Sequence, residues 1–249
     1  YPDEVILYPS AIGEESSPLN IDVETLNWVQ SSYPTGGGNW ENNNIYLNES
    51  NDIQVGEVYA DTIYLNAGGS ILDGNGDVNN ITAINLILSA ANGIDLDTQV
   101  SNLQARNTAS GNINIANSGA LNLSDLGSLG YAVQNLGGAV NISTTSPLTV
   151  TSKLIASGDI NLTALENSGV GTDKILVNAD ITSSNGDISL QAGDDIIQGS
   201  GTTVETQANG KTITLTAANN DSDNLGGITQ NTDSKIATNK GNITLSARD

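Results

Sequence analysis

The chain of 249 residues carries 28 acidic and 7 basic side chains, a formal net charge of −21, and has no Cys, His, Met or Phe. That charge argues against nucleic acid and against an anionic membrane surface, both of which need a basic footprint. Without Cys or His there are no disulfides, no thiol catalysis, and none of the common triads or zinc sites.

Residues 1–60 hold most of the aromatic side chains, including Trp28, Trp40, Tyr33 and Tyr46, and four of the five prolines. The stretch from Ile21 to Val29 has apolar residues at 21, 23, 26, 28 and 29 and reads as a short helix or an irregular strand. We expect this segment to be an N-terminal cap or irregular first coil, because a solenoid needs an atypical end over its open core. The rival reading is a separate binding module. Tyr1 is not a translation start, so a processed or excised chain is expected.

From residue 61 to 249 one pattern recurs. In Gly186-Asp187-Ile188-Ser189-Leu190-Gln191-Ala192 the aliphatic residues alternate with polar ones, which places them on one face of a strand. Gly158-Asp159-Ile160-Asn161-Leu162-Thr163-Ala164 and Gly241-Asn242-Ile243-Thr244-Leu245-Ser246-Ala247 repeat it, residues 210–217 repeat it with one residue inserted after Gly210, and residues 111–116 and 138–143, opening on Gly111 and Gly138, are looser copies. Upstream, Thr62–Ala67 and Leu86–Ala90 keep the strand without the glycine. The second aliphatic falls at 65, 88, 115, 142, 162, 190, 215 and 245, a mean period of about 26 residues. Ile71, Ile94 and Ile196 each lie six residues past that mark, and Ile181, Val204 and Ile236 open a third run before the next glycine.

Three short strands in such a period leave no room for a helix. The expected fold is therefore all-β: a right-handed parallel β-helix with three short strands per coil, equivalent strands stacking about 4.8 Å apart. Leu65, Leu88, Leu162, Leu190, Leu215 and Leu245 are expected to form one inward stack. Stacked Asn, Thr and Ser suit the turns, where side chains can bond along a ladder. Insertions are expected at Asn117–Ala120, Asn167–Asp173 and Asn219–Asn224, and the stretch from Asn117 to Leu136 fits the repeat poorly. No capping segment follows the last strand, so a coil that continues, or docks head-to-tail on another copy to make a filament, is expected.

Asp73-Gly74-Asn75-Gly76-Asp77 has the Asp-x-Asn-x-Asp spacing of the first three ligands of an EF-hand loop. Val78 and Ile84 occupy the positions of its glycine and bidentate glutamate, so the motif reads either as a calcium site (Asp73, Asn75, Asp77) or as a polar turn. Asp194-Asp195 and Asp221-Ser222-Asp223 are weaker versions. Acidic pairs such as Asp95 with Asp97 would suffice for glycoside hydrolysis, but nothing marks them as a cleft, and no enzyme is expected. The Asn-x-Ser/Thr sequons, such as Asn161-Leu162-Thr163, belong to the strand repeat and read as pattern.

The three Gly-Asp/Asn-Ile repeats beginning at Gly158, Gly186 and Gly241 resemble the β-helical segments of filamentous-haemagglutinin-like giant surface proteins of bacteria. The resemblance covers residues 61–249. It implies a secreted or cell-surface adhesin, stalk or fibre, with no catalytic residues to carry over. Its partners would be further segments or copies of the same surface protein, and surface glycans. The alternatives are a self-assembling extracellular filament subunit or a β-helix that binds or processes carbohydrate.

Overall fold

Alternating aliphatic and polar residues build every long strand of the chain. The computed structural model describes residues 12–27, 29–30, 43–145, 147–167, 172–218 and 226–247. Among these there is no helix, every ladder between strands is parallel, and the strands join into one sheet wound as a solenoid. In Ile188–Ala192, Ile188, Leu190 and Ala192 are buried while Ser189 and Gln191 face outward. β-Branched and aliphatic side chains fit such a pleated, half-buried surface.

One ladder runs through nearly the whole molecule. It links Ile53–Val55, Ile71–Asp73, the start of Ile94–Asn107, Ile113–Asn117, Val140–Thr144, Ile160–Ala164, Ile188–Ala192, Ile213–Thr216 and Ile243–Ser246. Its register sets Ile53, Ile71, Ile94, Ile113, Val140, Ile160, Ile188, Ile213 and Ile243 in one column. All but Ile243 are buried. Each Ile is thus covered by the coil before it and the coil after it.

The expected leucine stack divides into two. Leu162, Leu190, Leu215 and Leu245 share the long ladder, continued upstream by Ile142, Ile115 and Leu96. Leu65 pairs with Leu88, but Leu88 pairs with Ala105, and Ala105 with Val133, which leads on to Leu154, Ile181, Val204 and Ile236. Ile196 likewise pairs with Ile175 and Ile228 rather than joining the column of Ile71 and Ile94. The six-residue step from leucine to isoleucine looks the same at two different corners, so spacing alone assigns the upstream coils to the wrong side.

The strand Ile94–Asn107 is where the sides change. Upstream, its residues from Asn102 to Asn107 continue the ladder of Leu19–Ile21, Asn44–Glu49, Thr62–Ala67 and the second half of Ile81–Ala90. Downstream, that face divides: Asn102 and Leu103 pair with Leu121–Leu123, while Ala105, Arg106 and Asn107 pair with Val133–Asn135. The stretch that fits the repeat poorly thus contributes two regular strands and the loop between them.

Pairing also crosses residue 60 without a break, since Asn44–Glu49 stacks on Thr62–Ala67 and Ile53–Val55 on Ile71–Asp73. The region read as a helix or an irregular strand holds the short strands Leu19–Ile21, Thr25–Leu26 and Val29–Gln30. Trp28, Tyr33 and Trp40 lie outside the described residues.

The repeated Gly-Asp pair has a mechanical reason. A Cβ on Gly186 would stand 2.2 Å from backbone atoms of Gly158 and Asp159, so only glycine lets the corners stack. The next residue then tethers the coils: Asp159 Oδ1 accepts the Asp187 N–H at 2.8 Å, and Asp187 Oδ1 accepts the Thr212 N–H at 2.7 Å. Inside the corner, buried amides satisfy turn backbone. Asn107 Nδ2 donates to Asn135 Oδ1 and to the carbonyls of Ser110 and Gly111, and Asn135 Nδ2 donates to those of Gly111 and Ala139. Buried polar groups are tolerated only with such partners.

Candidate functional site

The Asp73–Asp77 turn is organised by its own amides. Asp73 Oδ1 accepts N–H bonds from Asn75 at 2.8 Å and Gly76 at 3.1 Å, and one from Asn80 Nδ2 at 2.8 Å. Asn80 is fully buried; its Nδ2 also donates to the Val55 carbonyl and its Oδ1 accepts the Asp97 N–H. Burial by itself raises the Asp73 pKa, but the Asn80 amide and the Asn75 and Gly76 N–H groups outweigh it and hold the carboxyl below its ordinary value. Asn75 is half-buried and Asp77 is exposed.

Asp97 behaves oppositely. Its pKa is raised, first by burial and then by the negative charges of Asp73, Asp77 and Asp95. The charges of the Asp73 turn thus reach the Asp95–Asp97 pair, two features that the sequence separates.

A second acidic group forms where the Asn167–Asp173 insertion closes. Glu166, Asp173 and Asp194 bring carboxylate oxygens within 4.8 Å of one another, with Asp173 and Asp194 buried. Asp194 Oδ2 accepts the Asp173 N–H at 2.7 Å, and Asp173 Oδ2 accepts the Asn167 N–H at 2.8 Å. An all-oxygen set of this kind matches calcium or magnesium rather than zinc. Asp194 is visible in sequence as half of an acidic pair, but its partners are not Asp195. That residue turns to Lys174, 2.7 Å away, and accepts the Gly227 N–H. Burial raises the Asp195 pKa, and Lys174 and the Gly227 N–H outweigh it, for a net value below the ordinary one. Glu166 and Asp173 carry no motif in the sequence. Asp221 and Asp223 lie outside the described residues.

Two surface grooves flank the step at Ile94–Asn107. The first, of about 410 Å³, lies where the short ladder of Val58–Tyr59, Ile81–Thr82 and Thr98–Gln99 stops, and Tyr59, Ile84, Val100 and Ala120 line it. Asn117 ends that ladder with its side chain: Oδ1 accepts from Thr98 Oγ1 and the Val100 N–H. The Tyr59 hydroxyl donates to Glu57 at 2.6 Å, and its pKa is pushed up to about 12, first by that bond and then by burial.

The second groove, of about 470 Å³, has Tyr46, Tyr64 and Ile87 for a floor and the loop carrying Leu126, Gly127 and Leu129 for a wall. The tyrosine ring centroids are 6.3 Å apart and the rings tilt by 31°. The wall is tied to the sheet by Gln104 and Asp125. Buried Gln104 donates through Nε2 to Asp125 Oδ1 and the Tyr131 carbonyl, and its Oε1 accepts the Gly127 N–H. Asp125 accepts the N–H groups of Leu129 and Gly130, each at 2.7 Å. Burial raises the Asp125 pKa, but the Gly130 and Leu129 N–H groups and the Gln104 amide outweigh it, leaving it below its ordinary value. Neither groove has a short sequence motif. The only hint is the richness of tyrosine before residue 65.

Among the described residues, no helix is long and apolar enough to cross a membrane. Comparison of the chain with protein-family models, curated proteins and solved structures returned no match.

Proposed function

We propose that this chain is a rigid structural segment of a secreted or cell-surface adhesin or fibre protein, winding right-handed with three strands per coil and doing no catalysis of its own. The observation that carries this reading is the unbroken interior column from Ile53 to Ile213, with parallel ladders running the same way. Each coil is hydrogen-bonded to the next, so bending the molecule would strain many backbone bonds at once. A net charge of −21 keeps such rods apart in solution. The likeness of the Gly-Asp-Ile repeats to haemagglutinin-like surface proteins points the same way, with further segments or copies of the parent protein as partners.

Small-angle scattering and electron microscopy test the rod. The eight steps from Ile53 to Ile243 predict an axial length of about 38 Å at the spacing of paired strands. A particle without that axis, or one that bends freely, rejects the reading. Antibody raised against the purified chain should label intact source cells; labelling only after permeabilisation rejects the surface location.

Calcium at Asp73, Asn75 and Asp77 is part of the proposal, supported by the Asp-x-Asn-x-Asp spacing and by the negative charge of Asp95 and Asp97 nearby. Chelation should then lower the melting temperature, and Asp77→Ala should remove the difference. Identical melting curves with chelator and with excess calcium reject the site.

A further inference from the structure

The outward face beside the Leu126–Leu129 wall is built differently from a plain rod surface. Register places Tyr46, Tyr64 and Ile87 in one outward row. A second row, Asn44, Thr62, Asn85, Asn102 and Asn122, runs beside it. Its side chains form a rail: Asn85 Nδ2 donates to Thr62 Oγ1 at 3.2 Å, Asn102 to Asn85 Oδ1 at 3.0 Å, and Asn122 to Asn102 Oδ1 at 3.3 Å. Each amide has two N–H donors and two acceptor lone pairs, so the rail uses only part of its capacity. Asn48, Asn66 and Ser89 flank the aromatic row on its other side. Arg106 follows them in that row but is not part of the groove lining.

The wall is preorganised. Gln104 and Asp125 fix its backbone, Ser128 sits at a left-handed φ of 58°, and Leu129 is held 52% exposed. A ligand entering here would not have to order the loop, which removes one cost of binding. Among the described residues, Glu15 is the only charged one of the lining.

From this arrangement we propose that the groove binds an uncharged glycan chain lying along the solenoid axis. A pyranose ring has an apolar C–H face and an edge of hydroxyls. The tyrosines, Ile87, Leu126 and Leu129 match the face, and the asparagine rail matches the edge. Of the rail, Thr62 and Asn85 line the groove, and their coils stack about 4.8 Å apart, so neighbouring sugars meet polar side chains one coil apart. Anionic glycans and nucleic acids find no cation in the lining and a strongly negative chain around it. A protein partner would need about 800 Å² on this side, and the apolar floor is bounded on both flanks by amide rows.

The test is isothermal titration of the 249-residue chain with cellohexaose, xylohexaose, maltohexaose and mannohexaose, and with hexagalacturonate as the acidic comparison. At least one neutral hexaose should bind. Tyr64→Ala and Leu129→Asp should each weaken it about tenfold or more, the loss expected for one good aromatic or apolar contact. Both side chains are outward, and an unchanged melting curve verifies that each variant folds. Tyr64→Phe, which keeps the ring, should retain binding. The proposal is overturned if no neutral hexaose binds, if only hexagalacturonate binds, or if both folded variants bind like the parent. It is also overturned if Leu129→Asp abolishes self-association of the chain instead. None of these results bears on the rod reading, which is judged by shape and cell-surface labelling.

Discussion

The coils before Asn107 and those after it share one ladder and differ in the rest of their circumference. In the common column, Ile53, Ile71, Ile94 and Ile113 are 18, 23 and 19 residues apart. From Ile113 to Val140, Ile160, Ile188, Ile213 and Ile243 the steps are 27, 20, 28, 25 and 30. The upstream coils present a long strand bearing Tyr46, Tyr64 or Ile87. The downstream coils break that side into two separate strands, such as the three-residue Leu121–Leu123 and Val133–Asn135, with a loop between. Stacking requires only that paired strands keep their register, so length can be added at corners at little cost. Both grooves described above lie at the step between the two regimes.

If both halves are held by the same interior stack, truncating it should hurt equally on either side of the step. Leu65→Ala and Leu190→Ala, each of a fully buried leucine, should each cost about 2–5 kcal/mol in denaturant unfolding. A much smaller loss for Leu65 would mean that the upstream coils are packed less tightly.

The corners should be next in sensitivity. Asn135→Ala leaves the Ala139 carbonyl without its amide donor and takes one of two from the Gly111 carbonyl, at a cost of about 1–3 kcal/mol. Gly186→Ala forces a methyl into the Gly158–Asp159 backbone, with a similar penalty of about 1–3 kcal/mol. Urea midpoints of the two variants would check both. A neutral Gly186→Ala would show that the coils can slide apart there.

The smallest effects are in pH, and they have opposite signs at the step. Asp125 has a folded pKa below its unfolded one. Its contribution is present above the unfolded pKa and is lost as pH falls through the folded value. Asp97 has a raised folded pKa, so its penalty is absent below the unfolded pKa and grows as pH rises through the folded value. Relative to the parent, Asp97→Asn should therefore gain stability as pH rises above about 4, and Asp125→Asn should be less stable above about pH 4, a deficit that shrinks as pH falls from there toward about pH 2. Melting temperatures of both variants as a function of pH, with carboxyl titration by NMR, would check the signs.

Much of this fold is legible in the amino-acid sequence. Strict alternation marks the strands, the Gly-Asp-Ile repeat marks their stacking, and its spacing leaves no room for helices. The sequence by itself determined that parallel β-coils would form, because burying one face of each strand against its neighbours satisfies both the apolar side chains and the backbone. It did not determine register. Leu88 could face Ile115 or Ala105 with similar apolar burial, and turn lengths and buried amides such as Asn107 decide the matter. Those depend on residues a whole coil away. The same holds for the candidate sites. Glu166, Asp173 and Asp194 come together from neighbouring coils, and Tyr46, Tyr64, Ile87 and Leu129 share a groove only because three coils and a displaced loop bring them side by side. Local pattern sets which face of a strand is buried; which distant residues become neighbours on the other face is decided by how the coils stack.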